Sequence, residues 1–307
     1  MPTLRQLEYL VAIADTRHFR RAAERVNTTQ PTLSEQLKAL EERLGAQLVQ
    51  RSRSGVVLTG LGEQVVEIAR RMLADAQHIR SLSSLGAGRL SGLLRLGMPP
   101  TIGPYLLPRV VPQLRVGFPQ LKLYVREELP SELPAALTDG RLDVIVTPFP
   151  INSGDLLGEE MFSEPLHLAV ASTHRLAQKS RVTALDLKGE DVLALGKGHQ
   201  LHDVVAQLCA QTGARLRLDY EGTSLDTLRE MVATGLGITF LPGLYVESAV
   251  RGDSMLKLIE LSGRPLMRTI GMAWRKSDAR ADSYRRLADV CRRQVAAAHM
   301  RGIADKS

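Results

Sequence analysis

Leu33, Leu37, Leu40 and Leu44 step by three and four behind Thr29-Gln30-Pro31, and this run dictates a helix with one apolar face. Asn27-Thr28-Thr29 supplies capping oxygens. Pro31 falls in the first turn, where a missing backbone N–H leaves no bond unmade. Upstream, Leu4, Leu7, Leu10, Val11 and Ala14 repeat at helical spacing. Phe19, Ala22, Ala23 and Val26 do so again after the Asp15-Thr16-Arg17-His18 break. Three short helices with the third carried on the first two make a helix-turn-helix arrangement. Thr32, Glu35 and Lys38 are left on the outer face of the third, and Gln30 stands at its leading tip.

Such a tip enters the major groove of double-stranded DNA, where side chains meet base edges and the helix dipole meets phosphate. A Gln30 amide can bond adenine N6 and N7, the Thr32 methyl can touch a thymine methyl, and Glu35 can accept from cytosine N4. Pro31 shapes that tip, while Ser34 and Lys38 suit phosphate. After Gly45, the segment from Leu48 to Leu58 reads as two short strands around a basic turn, a wing whose Arg51 and Arg53 would grip the DNA backbone or minor groove. The same spacing also fits a three-helix packing unit with an ordinary solvated face, and spacing alone favours DNA binding over it.

A chain of 307 residues can bury more than one core. Its net charge of +7 and pI of about 9.6 favour a polyanionic partner, although an anionic surface or simple solubility would fit as well. No apolar run approaches membrane-spanning length, and the first residues lack the basic-then-apolar pattern of a signal peptide, so no membrane partner and a cytoplasmic location are expected. Cys209 and Cys291 then read as free thiols, Cys291 as a buried small apolar residue.

From Leu61 to Leu85, the residues Leu61, Val65, Ile68, Met72, Ala76 and Ile79 form an amphipathic stripe, read as a dimer-forming linker helix. A surface helix lying on its own core is the alternative. Ser83-Ser84-Leu85-Gly86-Ala87-Gly88 ends it as a hinge. The expected organisation is a winged helix-turn-helix over 1–58, linker and hinge over 59–89, and an effector-binding body over 90–307. In the body, Leu93–Leu96, Leu121–Val125 and Leu142–Val146 read as strands, with helices at Tyr105–Val116 and Glu132–Thr138. A second set follows: strands at His167–Ala171, Val192–Leu195, Arg215–Tyr220 and Ile238–Leu241, with helices around Val204–Cys209 and Leu225–Ala233. Thr269–Trp274 and a helix near Tyr284–Ala297 return to the first set. This βαβ order implies an open parallel sheet and an α/β body of two lobes.

Ligands in such folds bind at strand carboxyl ends and helix amino ends between the lobes. Pro100 and Thr101 after the first strand, Thr147 after the third, His199 and Gln200 before one helix, and Thr223 and Ser224 before another are the candidate effector contacts. Thr223 and Ser224 serve equally well as helix caps. His199 and His202 could share a metal, but without a third ligand nearby the expectation is no metal and no cofactor. Neither a phosphate loop nor a nucleophile with its base is present, so an enzyme is not expected. A transporter's solute receptor would share the body but lack the DNA-reading head.

The head closely resembles that of the LysR-type transcriptional regulators. The residues that carry the resemblance are Leu7 and Leu10, Ala22-Ala23, Gln30-Pro31-Thr32-Leu33-Ser34, Leu40-Glu41, Leu44-Gly45, Leu48, Arg51, Leu58-Thr59 and Gly62. It extends through the whole chain and is OxyR-like, resembling the peroxide-sensing branch in Phe19–Ala23, Gly103–Pro108 and Thr223–Arg229. The resemblance implies a two-lobed effector domain similar to periplasmic solute-binding proteins. It also implies a homodimer assembling to a homotetramer on promoter DNA, and RNA polymerase as a further partner. It further implies a peroxide-reactive cysteine after Gly198-His199, with a second nine residues on. Here Gln200 stands at the first position and Cys209 at the second, and Pro130 stands where a peroxide-holding threonine is implied. A glutamine amide cannot form a sulfenic acid or a disulfide, so reversible binding of a small-molecule effector is expected instead. A redox response through Cys209 alone is the alternative.

Overall fold

Thr3 opens the first helix with a reciprocal cap. Its hydroxyl accepts from the Gln6 N–H at 3.2 Å, and the Gln6 side chain accepts from the Thr3 N–H at 3.2 Å. The computed structural model describes residues 1–52, 55–83, 90–151, 153–250, 252–263 and 265–304. It divides into two units, Met1–Gly88 with Ala136–Leu142, and Arg89–Ala135 with Asp143–Ser307.

In the first unit, α1 (Leu4–Thr16), α2 (Phe19–Arg25) and α3 (Gln30–Leu44) bury Leu7, Leu10, Ala22, Leu33, Leu37 and Leu40 in one core. Asn27, at φ 51°, makes the left-handed turn between α2 and α3. Leu44, expected on the apolar face, is exposed at the last position of α3, before Gly45 ends the helix. The wing is the antiparallel pair β1 (Val49–Ser52) and β2 (Gly55–Leu58). Glu41 of α3 anchors it by accepting from the Leu48 and Val49 N–H groups at 2.7 and 3.0 Å.

Helix α4 (Gly60–Ser83) follows directly. Thr59 Oγ1 donates to the Gln47 carbonyl at 2.8 Å and accepts from the Gly62 N–H at 2.9 Å. A Cβ on Gly62 would lie 2.0 Å from the Leu48 carbonyl oxygen, so only glycine lets the helix leave the wing this closely. Val66 and Ala69 are buried in the head's core with Val65 packed beside them, which moves Val65 from the expected outer stripe to the inner face. Leu61, Ile68, Met72 and Ile79 remain exposed at intervals of seven, four and seven. Asp15 of α1 pairs with Arg25 of α2 at 2.9 Å and with Arg70 of α4. The expected hinge from Ser84 to Gly88 lies outside the described residues.

The rest of the chain runs in the order β3 (Gly92–Met98), α5 (Gly103–Gly117), β4 (Leu121–Glu127), α6 (Leu133–Thr138), β5 (Val144–Phe149), β6 (Leu156–Ala171), β7 (Arg181–Val182) and β8 (Asp191–Val192). There follow α7 (Gln200–Thr212), β9 (Arg215–Leu216), α8 (Leu225–Ala233), β10 (Thr239–Pro242), α9 (Gly243–Tyr245), β11 (Leu256–Leu261), β12 (Met267–Arg275) and α10 (Ala281–Ala304). A π-helical turn, Val246–Val250, continues α9.

An open parallel sheet was expected, and the structure shows instead a mixed eight-stranded sheet in the order β4-β3-β5-β12-β6-β11-β7, with β10 also on β6. The sixteen-residue strand β6 is the reason. Its first part, Leu156–Pro165, pairs antiparallel with β12, and its last part pairs with β10 and β11. A single strand thus serves both lobes. Leu94, Leu96, Val144, Met272, Trp274 and Tyr284 belong to the core of the first lobe, and Leu168, Val170, Leu228, Phe240 and Ile259 to that of the second. The strands expected at Val192–Leu195 and Arg215–Tyr220 shrink to the short parallel pair β8–β9, with isolated bridges from Val192 to Ile238 and from Leu195 to Gly222.

Candidate functional site

Helix α3 offers its amino end to solvent. Gln30, Pro31, Thr32, Glu35 and Lys38 are exposed and Ser34 is half-buried. Thr29 caps the helix by accepting from the Thr32 N–H at 3.4 Å, and the two threonine hydroxyls lie 2.8 Å apart. Gln36 is held by the buried Gln6 at 3.2 Å, which fixes the rotation of α3 on α1. Lys38 lies 3.7 Å from Glu42, both well exposed, so the pair costs little to open when an anion approaches. Arg51 lies in the first wing strand, and Arg53 lies outside the described residues.

In the second unit a cleft of about 260 Å³ is lined by Pro130, Ser131, Pro134, Thr147, Pro148, Pro150, Ile151, Gly198, Gln200 and Asp203. Thr147 is buried on β5, and Gln200 opens α7 with its Nε2 donating to the Phe149 carbonyl at 3.4 Å. Gly198, at φ 93°, lets the chain turn into α7 where a Cβ would sit 3.2 Å from Leu129 and Ser131. Asp203 in the first turn of α7 gives the cleft its one charged lining residue among those described. The groups on offer are hydroxyls, an amide and a carboxylate on proline-rich walls.

Of the expected effector contacts, the cleft brings together Thr147 and Gln200. Pro100 is half-buried and does not line it. Thr101 is buried, facing Arg268 instead, whose Nη2 donates to the Thr101 carbonyl at 3.0 Å. Thr223 is exposed. Ser224 acts as the helix cap, accepting from the Asp226 N–H at 3.1 Å. In the first turn of α8, Asp226 accepts from Tyr245 at 3.0 Å and Tyr105 at 3.5 Å, which joins the Gly103–Pro108 and Thr223–Arg229 segments. His199 is buried, and its Nδ1 finds no hydrogen-bond partner among the described residues. Burial, then the nearby His202, holds its pKa below the ordinary value. Ser131 and Asp203 escaped the sequence reading. Asp203 at helix position three after Gln200 was the available signal.

Burial also pushes the Cys209 thiol up. Cys209 is packed in the second lobe's core, and Cys291, in the first lobe's core, is raised to about 12. No group of three or more metal-ligating side chains occurs among the described residues, and no helix there is long and apolar enough to cross a membrane.

Two family models match the chain. Residues 4–63 match the family model described as "Bacterial regulatory helix-turn-helix protein, lysR family", and residues 87–296 match "LysR substrate binding domain". The chain is 39% identical over 299 residues to the hydrogen peroxide-inducible genes activator of Pectobacterium carotovorum subsp. carotovorum, covering 97% of each chain. It is 38% identical over 292 residues to the DNA-binding transcriptional dual regulator OxyR of Escherichia coli K12, covering 95% of each. A full-length OxyR variant from Pseudomonas aeruginosa superposes with a TM-score of 0.80 at 37% identity, over 95% of this chain and 98% of that one. This chain therefore belongs to the LysR family of helix-turn-helix transcriptional regulators, and it is a DNA-binding regulator close to OxyR rather than an enzyme.

Proposed function

We propose that this regulator responds to a small polar molecule bound reversibly in the cleft of the body, through Thr147 and Gln200 with Ser131 and Asp203, and not to peroxide through a thiol pair. The observation that carries this reading is Gln200 itself. It stands at the cleft end of α7, where the resemblance implies the peroxide-reactive cysteine, and its amide both donates and accepts. Differential affinity for two arrangements of the oligomer would then set the output on the promoter. Gln30, Thr32 and Glu35 read bases while Pro31, Ser34, Lys38, Arg51 and Arg53 position the head on the DNA. The exposed Leu61, Ile68, Met72 and Ile79 stripe pairs two linker helices into a dimer, two dimers make a tetramer, and RNA polymerase is engaged at the promoter.

The competing reading, a redox regulator working through Cys209 alone, is favoured by the similarity to peroxide-inducible activators. Against it, a buried thiol of raised pKa is a poor nucleophile toward peroxide. Thermal unfolding of the full chain against a metabolite panel, with hydrogen peroxide and thiol mass analysis in parallel, separates the two. Saturable stabilisation by one compound, lost in Gln200→Ala, is expected. Oxidation of Cys209 at low peroxide with no stabilising compound would replace the cleft reading with the redox one.

A further inference from the structure

A second cavity, of about 500 Å³, lies in the body away from the cleft, between β6, the α9 turn and α10. Its walls are apolar, with Met161 and Phe162 from β6, Leu244 from α9 and Val295 from α10. Three charged side chains reach it, and each is already matched. Glu164 is paired with Arg268 at 2.6 Å, Glu247 with Arg109 at 2.9 Å, and Arg292 with Glu159 at 3.1 Å as well as with Asp289. An ionised ligand entering here would lose its hydration without meeting an unmatched counter-charge on the described lining, which is unfavourable. An uncharged molecule with an apolar body loses nothing of that kind and gains by leaving water. The volume lies within the range of small-molecule sites.

We propose that this cavity is a second ligand site, selective for uncharged, predominantly apolar small molecules such as a neutral aromatic, and that it is independent of the cleft. Its floor is coupled to the rest of the body. Glu164, 3% exposed, accepts from the Leu244 N–H at 2.6 Å with one oxygen and from Arg268 Nε with the other. Arg268 in turn holds the Thr101 carbonyl in the turn between β3 and α5, and Glu247 holds Arg109 within α5. An occupant that displaces Leu244 therefore acts on the turn after β3, through Glu164 and Arg268, beside the Glu247 contact to α5.

The test uses the full chain and 4-fluorophenol, read by fluorine NMR line broadening and by isothermal titration, with sodium 4-fluorobenzoate as the charged counterpart. Saturable binding of the phenol, absent for the benzoate, is expected. It should be lost in Ala296→Trp, which fills the cavity from the rim of α10, and retained in Gln200→Ala in the cleft. Ser163→Phe fills the cavity from β6 and replaces Ala296→Trp if that variant unfolds. Absence of saturable binding, equal binding of the benzoate, or binding that survives filling overturns the proposal. Loss in Gln200→Ala alone places the phenol in the cleft and overturns it too.

Discussion

Arg268 donates from Nε to Glu164 at 2.6 Å inside the body, and the two side chains are 3% and 4% exposed. The pair joins residues 104 positions apart, β12 to β6, and its remaining contacts go to Thr101 and Leu244. Little solvent reaches it, so removing one partner strands a buried charge. Arg268→Met should lower stability by about 3–5 kcal/mol, and the double replacement with Glu164→Leu should recover a large part of that loss. Urea unfolding of both variants checks this, and a single variant as stable as the parent would show that the pair does not hold β12 to β6.

Gln30 stands at the tip of α3 with its amide in solvent. Gln30→Ala should weaken binding to a duplex selected from a random pool by about 1–3 kcal/mol and leave binding to unselected DNA nearly unchanged. Fluorescence anisotropy on both duplexes reads the difference. Equal losses on the two would assign Gln30 to backbone contact.

Cys209 and Cys291 are both held protonated by burial, Cys291 at about 12. A disulfide reagent at about pH 8 should leave both unmodified in the native protein and titrate both in denaturant. Rapid native labelling of Cys209, located by mass spectrometry, would revive the single-thiol reading.

His199 is held neutral by burial, with a pKa below the ordinary 6.5. The unfolded chain therefore binds the proton more readily than the folded one. The stabilising difference is complete above about pH 6.5 and shrinks as pH falls below it. Replacing His199 by Gln should flatten the decline of Tm between about pH 7 and about pH 5.5. Parallel curves for the two proteins would remove His199 from the acid sensitivity.

The head was legible because its signals are local. Thr29 caps, Pro31 starts and Leu33, Leu37 and Leu40 repeat within a few turns of one helix, and Leu225–Ala233 announced itself in the same way. Strand β6 was read only over His167–Ala171. Its first part carries Glu159 and Glu160 where an apolar run would betray a strand, and its partner β12 lies about a hundred residues on. Gln200 and Thr147 were found because helix starts and strand ends are marked in the chain. Ser131 and Asp203 join them only through the packing of three separate segments. The Arg268–Glu164 pair leaves no trace in the pattern, since a buried salt bridge looks the same in sequence as two surface charges.

Asp15 grips Arg70 and Arg25 together, and Gly62 seats α4 against the Leu48 carbonyl. The recognition helix and the long helix behind it are consequently parts of one lever. On the proposed reading of Gln30, the direction in which α4 leaves the wing therefore bears on how the α3 tip is presented to DNA.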